Sequence, residues 1–319
     1  MLYRIALLSA LATATSAHGL ITSIEGANGV TMPGLSVADG TPRDCSTNRC
    51  GSQADTAIIR DREMDEVGPL GRTQGNGPVR AETMISNFMG NGTAPTNNGP
   101  SDSVGVEDNI DDEDIPGNQK RKRQLSDFLG GIFGGGSDDD GSDGGNSGGG
   151  GAATGLSGLF GGGGNENDGP PESSVSESAG QGQTSGLPTC SDDGTITMTY
   201  RQINQDGAGP LEAAVDGTSG GTDPDAFQDA EVTQDVPGLG FQGLSLATNT
   251  DFPLEVRMPE GMTCDATVAG VDNVCVVRVR NGAAAGPFGG SAAFTQSPEA
   301  RKRAIAYRLR KRMELGNRA

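Results

Sequence analysis

A long low-complexity stretch, residues 101–187, divides the chain into two segments that are able to bury a core. The stretch is rich in Gly, Ser and Asp. It holds 16 acidic residues against 4 basic ones and so accounts for more than half of the net charge of −19. Ordering such a segment costs about 1–2 kcal/mol per residue, and there is little apolar surface whose burial could offset that cost. We therefore predict that residues 101–187 are disordered.

The two flanking segments carry the alternation of apolar and polar residues that is typical of β-strands. The alternation is clearest at residues 195–203, 254–259 and 274–281, with Gly, Pro, Asn and Asp between the runs. Such patterns predict antiparallel strands with one covered face. We expect a mainly β fold, an antiparallel β-sandwich stapled by disulfides, to which residues 18–100 and 188–297 each contribute a part.

Two segments carry helical patterns. Residues 53–64 place Ala57 and Ile58 on one face, and a short helix is expected there. Residues 298–319 hold eight Lys or Arg against two Glu, and their apolar residues recur every four positions: Ile305, Leu309 and Met313. We predict a basic C-terminal helix, either a solvated tail or an element that contacts anionic surfaces.

The first 17 residues have the features of a secretory signal peptide. They contain one early Arg, a short apolar stretch and the small residues Thr15, Ser16 and Ala17. The apolar stretch is too short for a membrane span, which needs about 20 residues. We predict cleavage after Ala17, a mature chain that begins at His18, and a secreted, extracellular or cell-wall-associated protein without a transmembrane segment.

Secretion makes the five cysteines disulfide candidates. They are Cys45, Cys50, Cys190, Cys264 and Cys275. We expect a bridge between Cys264 and Cys275 across a hairpin that turns near residues 272–273. Cys45 and Cys50 are so close in sequence that at least one of them is expected to reach further, to Cys190. The odd count leaves one thiol unpaired or bound to another molecule.

Two short motifs predict covalent processing. The triplet Asn91-Gly92-Thr93 lies in a loop rich in Gly, Pro and Asn, so we predict glycosylation at Asn91. The dibasic run Lys120–Arg123 lies in the expected disordered stretch, where proteases of the secretory route cut exposed chain. We predict cleavage after Arg123.

The single imidazole of the chain, His18, limits the possible chemistry. After signal removal, its α-amine and ring would chelate one metal through two nitrogens, which favours copper. An N-terminal His followed by Gly resembles the start of the copper-dependent lytic polysaccharide monooxygenases, where a second His supplies the third ligand. Here an Asp, a Met or a Tyr (Tyr200 or Tyr307) would have to substitute. The alternative is that His18 simply follows the cleavage site.

Four ordered blocks carry a resemblance to a known family. They are HGLITSIEGANGVTMPGLSVADGTPRDC (18–45), CGSQADTAIIRD (50–61), TMTYRQINQDGAGPLEAAVD (197–216) and CVVRVRNGAAAGPFGGSAAFTQ (275–296). Together they resemble the fungal Egh-like virulence factors, which include appressorium-associated cell-surface proteins of the Mas and Gas type. The resemblance implies a secreted protein made during infection-structure development, and no catalytic residues. The family pattern has Cys where this chain has Ser291, which predicts one orphan thiol.

Three interpretations of function follow. The first, which we expect, is a secreted, non-catalytic, virulence-associated or effector-like protein that needs no cofactor and contacts cell-wall polysaccharide or a host surface. The second is a copper-dependent oxidase of monooxygenase type that uses His18. The third is a structural wall component whose acidic stretch acts as a hydrated spacer. The acidic net charge argues against nucleic-acid binding, because phosphate backbones repel such a protein.

Overall fold

The computed structural model describes residues 18–46, 50–98, 163–205, 207–238, 245–283 and 286–316, which include most of the two flanking segments and the end of the low-complexity stretch. The expected signal peptide and the dibasic run that ends at Arg123 lie outside these residues. Within them, the chain forms 13 mainly antiparallel strands, a few short helices and a C-terminal helix. The predicted fold class is therefore confirmed.

The strands follow one another along the chain as β1 (Gly19–Glu25), β2 (Thr31–Pro33), β3 (Ala57–Ile58), β4 (Arg72–Thr73), β5 (Gly77–Pro78), β6 (Asn165–Glu166), β7 (Thr195–Gln202), β8 (Leu211–Asp216), β9 (Phe227–Gln234), β10 (Thr250–Arg257), β11 (Ala266–Val268), β12 (Val271–Asn281) and β13 (Phe288–Thr295). The helices are α1 (Met64–Val67), α2 (Ala81–Phe88), α3 (Ser174–Glu177), α4 (Gly182–Ser185) and α5 (Pro298–Gly316).

Eleven of these strands pair in one continuous path, β2-β1-β7-β10-β9-β8-β12-β13-β3-β4-β5, and off this path β6 pairs with β10 and β11 pairs with β12. Strand β9 joins two halves of this path, because it pairs with β10 on one side and with β8 on the other. The halves meet again where β1 packs on β13. A Cβ on Gly290 would lie 2.6 Å from the backbone nitrogen of Ile21 there, so only glycine permits the contact. The two halves therefore enclose a common core.

The core is filled by alternate side chains of the central strands. Strand β7 buries Ile196, Met198 and Tyr200 and leaves the threonines between them partly exposed. Strand β10 alternates in the same way. Each large apolar side chain that is fully buried contributes about 1.5–3 kcal/mol, so this alternation fixes which face of each strand points inward.

The predicted helix over residues 53–64 is wrong. Ala57 and Ile58 form β3 instead, which pairs with β13 and with β4, and helical structure begins only with a 3-10 turn at Asp61–Glu63. Ala57 and Ile58 are buried on both sides of this short strand. Sheet pairing satisfies their backbone groups and covers both side chains, which outweighs a weak helical pattern.

The C-terminal boundary of the stretch predicted to be disordered, residue 187, is also wrong. Residues 163–187 belong to the fold: β6 pairs with β10, and α3 contacts α2. Val175 is fully buried, and its carbonyl accepts a hydrogen bond of 2.9 Å from Nδ2 of Asn87. Two buried apolar residues, Val175 and Leu187, and the ion pair of Glu172 with Arg43 hold this segment in place, and so few contacts in a stretch of Ser, Gly and Glu are not revealed by composition.

Two disulfides staple the fold, Cys45–Cys50 and Cys264–Cys275. The second is the predicted one, although the hairpin turns at residues 269–270, both with positive φ, and not at 272–273. The expectation that Cys45 or Cys50 reaches Cys190 is wrong, because a loop of this length already brings their Cα atoms to 6.1 Å. Cys190 is the free thiol, and it is buried.

Candidate functional site

His18 lies in the interior, at the start of β1. Its side chain packs on Phe288 with 4.6 Å between ring centroids, and the residue is 1% exposed. The backbone nitrogen donates to Oδ1 of Asn204 at 2.8 Å, so Nδ2 of the same amide faces Nδ1 of the ring, 3.0 Å away. The two nitrogens that would chelate a metal therefore converge on one point, and the amide of Asn204 fills it.

The tyrosines considered as substitute ligands lie in different surroundings. The hydroxyl of Tyr200 donates to the carbonyl of Gly207 at 2.9 Å and lies so close to Gly19 that no larger residue fits there. Burial raises the pKa of Tyr200 well above its ordinary value. Tyr307 is on α5, and its ring lies beside Gly261. Among the described residues, no group of three or more His, Cys, Asp or Glu side chains is arranged to hold a metal ion.

A cleft of about 270 Å3 opens elsewhere on the surface. It is lined by residues 67–69, 79–82, 219–222 and 267–269, which bring together α1, α2, β11 and the loop after β8. The exposed side chains at its rim include Arg80, Glu82, Thr222 and Thr267. Arg80 supplies donors, Glu82 supplies acceptors and the threonine hydroxyls supply both, a set suited to a ligand that carries many hydroxyl groups.

Asp216, the last residue of β8, organises one wall of the cleft. It is fully buried, and its carboxylate accepts hydrogen bonds from the backbone nitrogens of Thr218 (2.8 Å), Ser219 (2.9 Å) and Gly221 (2.7 Å). Burial alone would raise the pKa of Asp216, but the hydrogen bonds from Ser219, Thr218 and Gly221 outweigh it and hold the pKa below its ordinary value. The carboxylate thus presets the shape of the loop.

A second buried cluster ties distant parts of the chain together. Nη2 of Arg43 lies 2.6 Å from Oδ2 of Asp55 and 2.9 Å from Oε2 of Glu172. Arg201, 2% exposed, donates to the carbonyl of Arg43 and pairs with Asp251 at 3.2 Å. Burial alone would lower the pKa of Arg43, but the charges of Asp55 and then Glu172 raise it above its ordinary value. The cluster joins residues before and after the low-complexity stretch.

Both predicted modification sites stay predictions. Asn91 is exposed in the loop that follows α2, and its backbone nitrogen donates to the carbonyl of Ser86. Cleavage after Arg123 falls outside the described residues.

Burial raises the pKa of the Cys190 thiol, which makes this sulfur a weak nucleophile.

The functional residues that sequence reasoning missed are mostly polar side chains that act through long-range contacts. Asn204 is separated from His18 by 186 residues, and no local pattern links the two. Asp216 is different, because it begins the run Asp-Gly-Thr-Ser-Gly-Gly. An Asp before Gly and Ser residues is a signal of a side-chain-capped turn, and it could have located this loop.

Comparisons with known proteins match most of the chain. The model of the Egh16-like virulence factor family matches residues 16–289. The chain is similar to the "Appressoria-specific virulence factor GAS2" of Pyricularia oryzae, with 48% identity over 303 residues that cover 94% of this chain and 91% of that protein. It is also similar to the "Appressoria-specific virulence factor GAS1" of the same fungus, with 41% identity over 133 residues, 40% of this chain and 51% of that protein. No solved structure matches the chain.

Proposed function

Since the chain belongs to the Egh16-like virulence factor family, we propose that it is a secreted, non-catalytic fungal protein that contacts cell-wall polysaccharide or a host surface. The observation that carries this proposal is the 48% identity, over 94% of the chain, to a protein named as an appressoria-specific virulence factor. The identity supports a virulence-associated fungal protein, and the secretion, the non-catalytic nature and the contact are the parts proposed.

The cysteine arrangement supports secretion. Two disulfides close within the fold, and disulfides form and persist in oxidising compartments. Intact mass and N-terminal sequencing of protein from culture filtrate test this. We expect a chain that begins at His18, carries glycan on Asn91 and is cut after Arg123. A chain that retains Met1 and is found only inside cells would contradict the proposal.

The cleft supports contact with a polysaccharide. Its rim combines Arg80 and Glu82 with threonine hydroxyls, and the carboxylate of Asp216 holds one wall in place. Such groups pair with sugar hydroxyls without large rearrangement, and that lowers the entropic cost of binding. The buried charges of Arg43, Asp55 and Glu172 are occupied by one another, which supports a structural use for them rather than a catalytic one.

Retention on insoluble chitin, β-glucan and cellulose tests the polysaccharide contact. The double variant Arg80→Ala/Thr222→Ala is expected to lower the affinity for the retained polymer by about tenfold, because a charge-assisted hydrogen bond is lost. Arg257→Ala is the matched control, since Arg257 is about half exposed and lies on β10, outside the cleft. Equal retention of the two variants would contradict a contact at the cleft. Loss of retention on deleting residues 101–162 would instead favour the wall-spacer interpretation.

A copper protein of the lytic polysaccharide monooxygenase type is the second candidate, and one observation favours it. The backbone nitrogen and Nδ1 of His18 converge on the side chain of Asn204, as two ligands of one metal must. Copper titration of the chain that begins at His18, with the α-amine free or acetylated, tests this candidate. A spectral change that needs the free amine supports it, and the absence of any such change rejects it.

A further inference from the structure

Helix α5 (Pro298–Gly316) turns its apolar side away from the protein. Ile305 is 44% exposed, Leu309 54% and Met313 64%. Residues four apart lie on the same side of a helix, so these three form one continuous apolar stripe. Exposed large side chains of this kind occur nowhere else in the described part of the chain except at Leu315, on the same helix.

The opposite side of α5 is anchored and cannot rotate to bury the stripe. Ala300 and Ala304 are buried against the domain. Arg301 donates to the carbonyl of Cys264 at 2.7 Å and to Oδ1 of Asp265 at 2.8 Å. Rotation of the helix would break these contacts, so the outward direction of the stripe is built into the fold.

Basic side chains flank the stripe on both sides. The helix carries seven Lys or Arg and two Glu. At about 100° per residue, Arg308 and Arg312 lie along one edge of the stripe and Arg310 lies along the other. An apolar stripe with cations on both edges is the arrangement that places a helix flat in the headgroup region of an anionic bilayer.

We propose that α5 binds the surface of anionic phospholipid bilayers, with Ile305, Leu309 and Met313 inserted between the headgroups and the flanking arginines on the lipid phosphates. No helix of the described ranges is long and apolar enough to cross a membrane, which is consistent with a helix that lies in the interface plane. The site is separate from the cleft, so this inference goes beyond the polysaccharide contact proposed above.

Charge complementarity favours a lipid surface over a second copy of the chain. Two copies that meet through this stripe would bring two sets of arginines together, and like charges at close range repel. Anionic lipid instead supplies the opposite charge along the whole length of the helix. Each basic residue near such a surface raises the affinity by about fivefold.

Cosedimentation of the purified protein with vesicles tests the proposal. One set of vesicles contains phosphatidylcholine alone and the other contains phosphatidylcholine with phosphatidylserine. We expect binding to the second set only. The variant Arg308→Gln/Arg312→Gln should bind about 25-fold more weakly. The variant Ile305→Ser/Leu309→Ser/Met313→Ser should lose more than about tenfold in affinity.

Two controls make the outcome decisive. Leu315→Ser removes an exposed apolar residue that lies off the stripe, in a groove that Tyr307 also lines, and this variant is expected to bind like the wild type. Circular dichroism checks that every variant remains folded, and retention on polysaccharide should be unchanged in all of them, which separates this test from that of the proposed function. Equal binding to both vesicle sets, or equal losses for Leu315→Ser and the triple variant, would overturn the proposal. So would dimerisation through the stripe without vesicle binding.

Discussion

Arginine is used in opposite ways in two regions of this protein. Arg43 and Arg201 lie in the interior, where two carboxylates pair with Arg43, and a carboxylate and two backbone carbonyls accept hydrogen bonds from Arg201. Arg308 and Arg312 are exposed on α5, so their charge faces solvent. A buried charge must be compensated within the fold, because desolvation costs several kcal/mol. The comparison therefore predicts large effects of mutation on stability in the first region and small ones in the second.

The largest effect is expected from Asp55→Asn. This change keeps the shape of the side chain but leaves Arg43 with an uncompensated charge on that side, and Asp55 is only 1% exposed. Breaking a buried pair in this way costs about 3–5 kcal/mol, which should appear as a lower urea midpoint.

Asp265→Asn is the matched control for that variant. Asp265 also pairs with an arginine, Arg301, but its side chain is 44% exposed. Its removal should cost less than about 1 kcal/mol. If both variants lose the same free energy of unfolding, burial does not distinguish the two regions and the comparison fails.

A smaller loss is expected from Asp216→Ala, in which a buried carboxylate is held by backbone nitrogens rather than by an arginine. The variant leaves the backbone nitrogens of Ser219 and Gly221 without their acceptor and should cost about 2 kcal/mol. Asp223→Ala serves as control, since Asp223 is exposed and caps only a short 3-10 turn with one hydrogen bond. Equal urea midpoints for the two variants would show that Asp216 does not hold the loop.

The buried cluster also predicts how stability depends on pH. Burial alone would raise the pKa of Glu172, but the charge of Arg43 and hydrogen bonds from Ser174 and Arg43 outweigh it and lower the pKa. A carboxylate whose folded pKa is lowered contributes stability above its ordinary pKa, about 4.3, and loses it as the pH falls through the folded value.

Urea unfolding between about pH 6 and pH 3 measures this contribution. The wild-type free energy of unfolding should fall over that range, and the fall should be shallower in Glu172→Gln. Glu231→Gln, on the exposed β9, should keep the wild-type curve. If the free energy of unfolding falls as steeply with pH in Glu172→Gln as in the wild type, the ionised Glu172 does not stabilise the cluster.

The sequence predicts the elements whose structure depends on near neighbours in the chain. It does not predict those whose structure depends on partners far away in the chain. The alternation in β7 and the period of α5 are local, and both elements are confirmed. Ala57 and Ile58 form a strand only because β13, more than 200 residues later, pairs with them. The same holds for Val175, whose pocket is built by α2.

The candidate sites show the same limit. His18 stands out in the sequence as the single imidazole, but its partner Asn204 depends on the pairing of β1 with β7. The four-residue spacing on α5 predicts a helix but not the direction in which its apolar side points. Ala300 and Ala304 decide that direction because small residues allow the helix to approach the domain closely.

The smallest effect on stability is expected from Arg308→Gln/Arg312→Gln on α5. Both side chains are exposed, so the free energy of unfolding should change by less than about 0.5 kcal/mol. Their charge is expected to act only when a partner is present, and binding to anionic vesicles should weaken in the same variant. High salt should mimic the substitution, because screening shortens the range of these charges to about 3 Å at 1 M. A variant that unfolds easily would show that these arginines stabilise the fold as the buried ones do. A variant that binds vesicles as tightly as the wild type would show that their charge does not serve an outside partner. Either result would contradict the difference between the two regions.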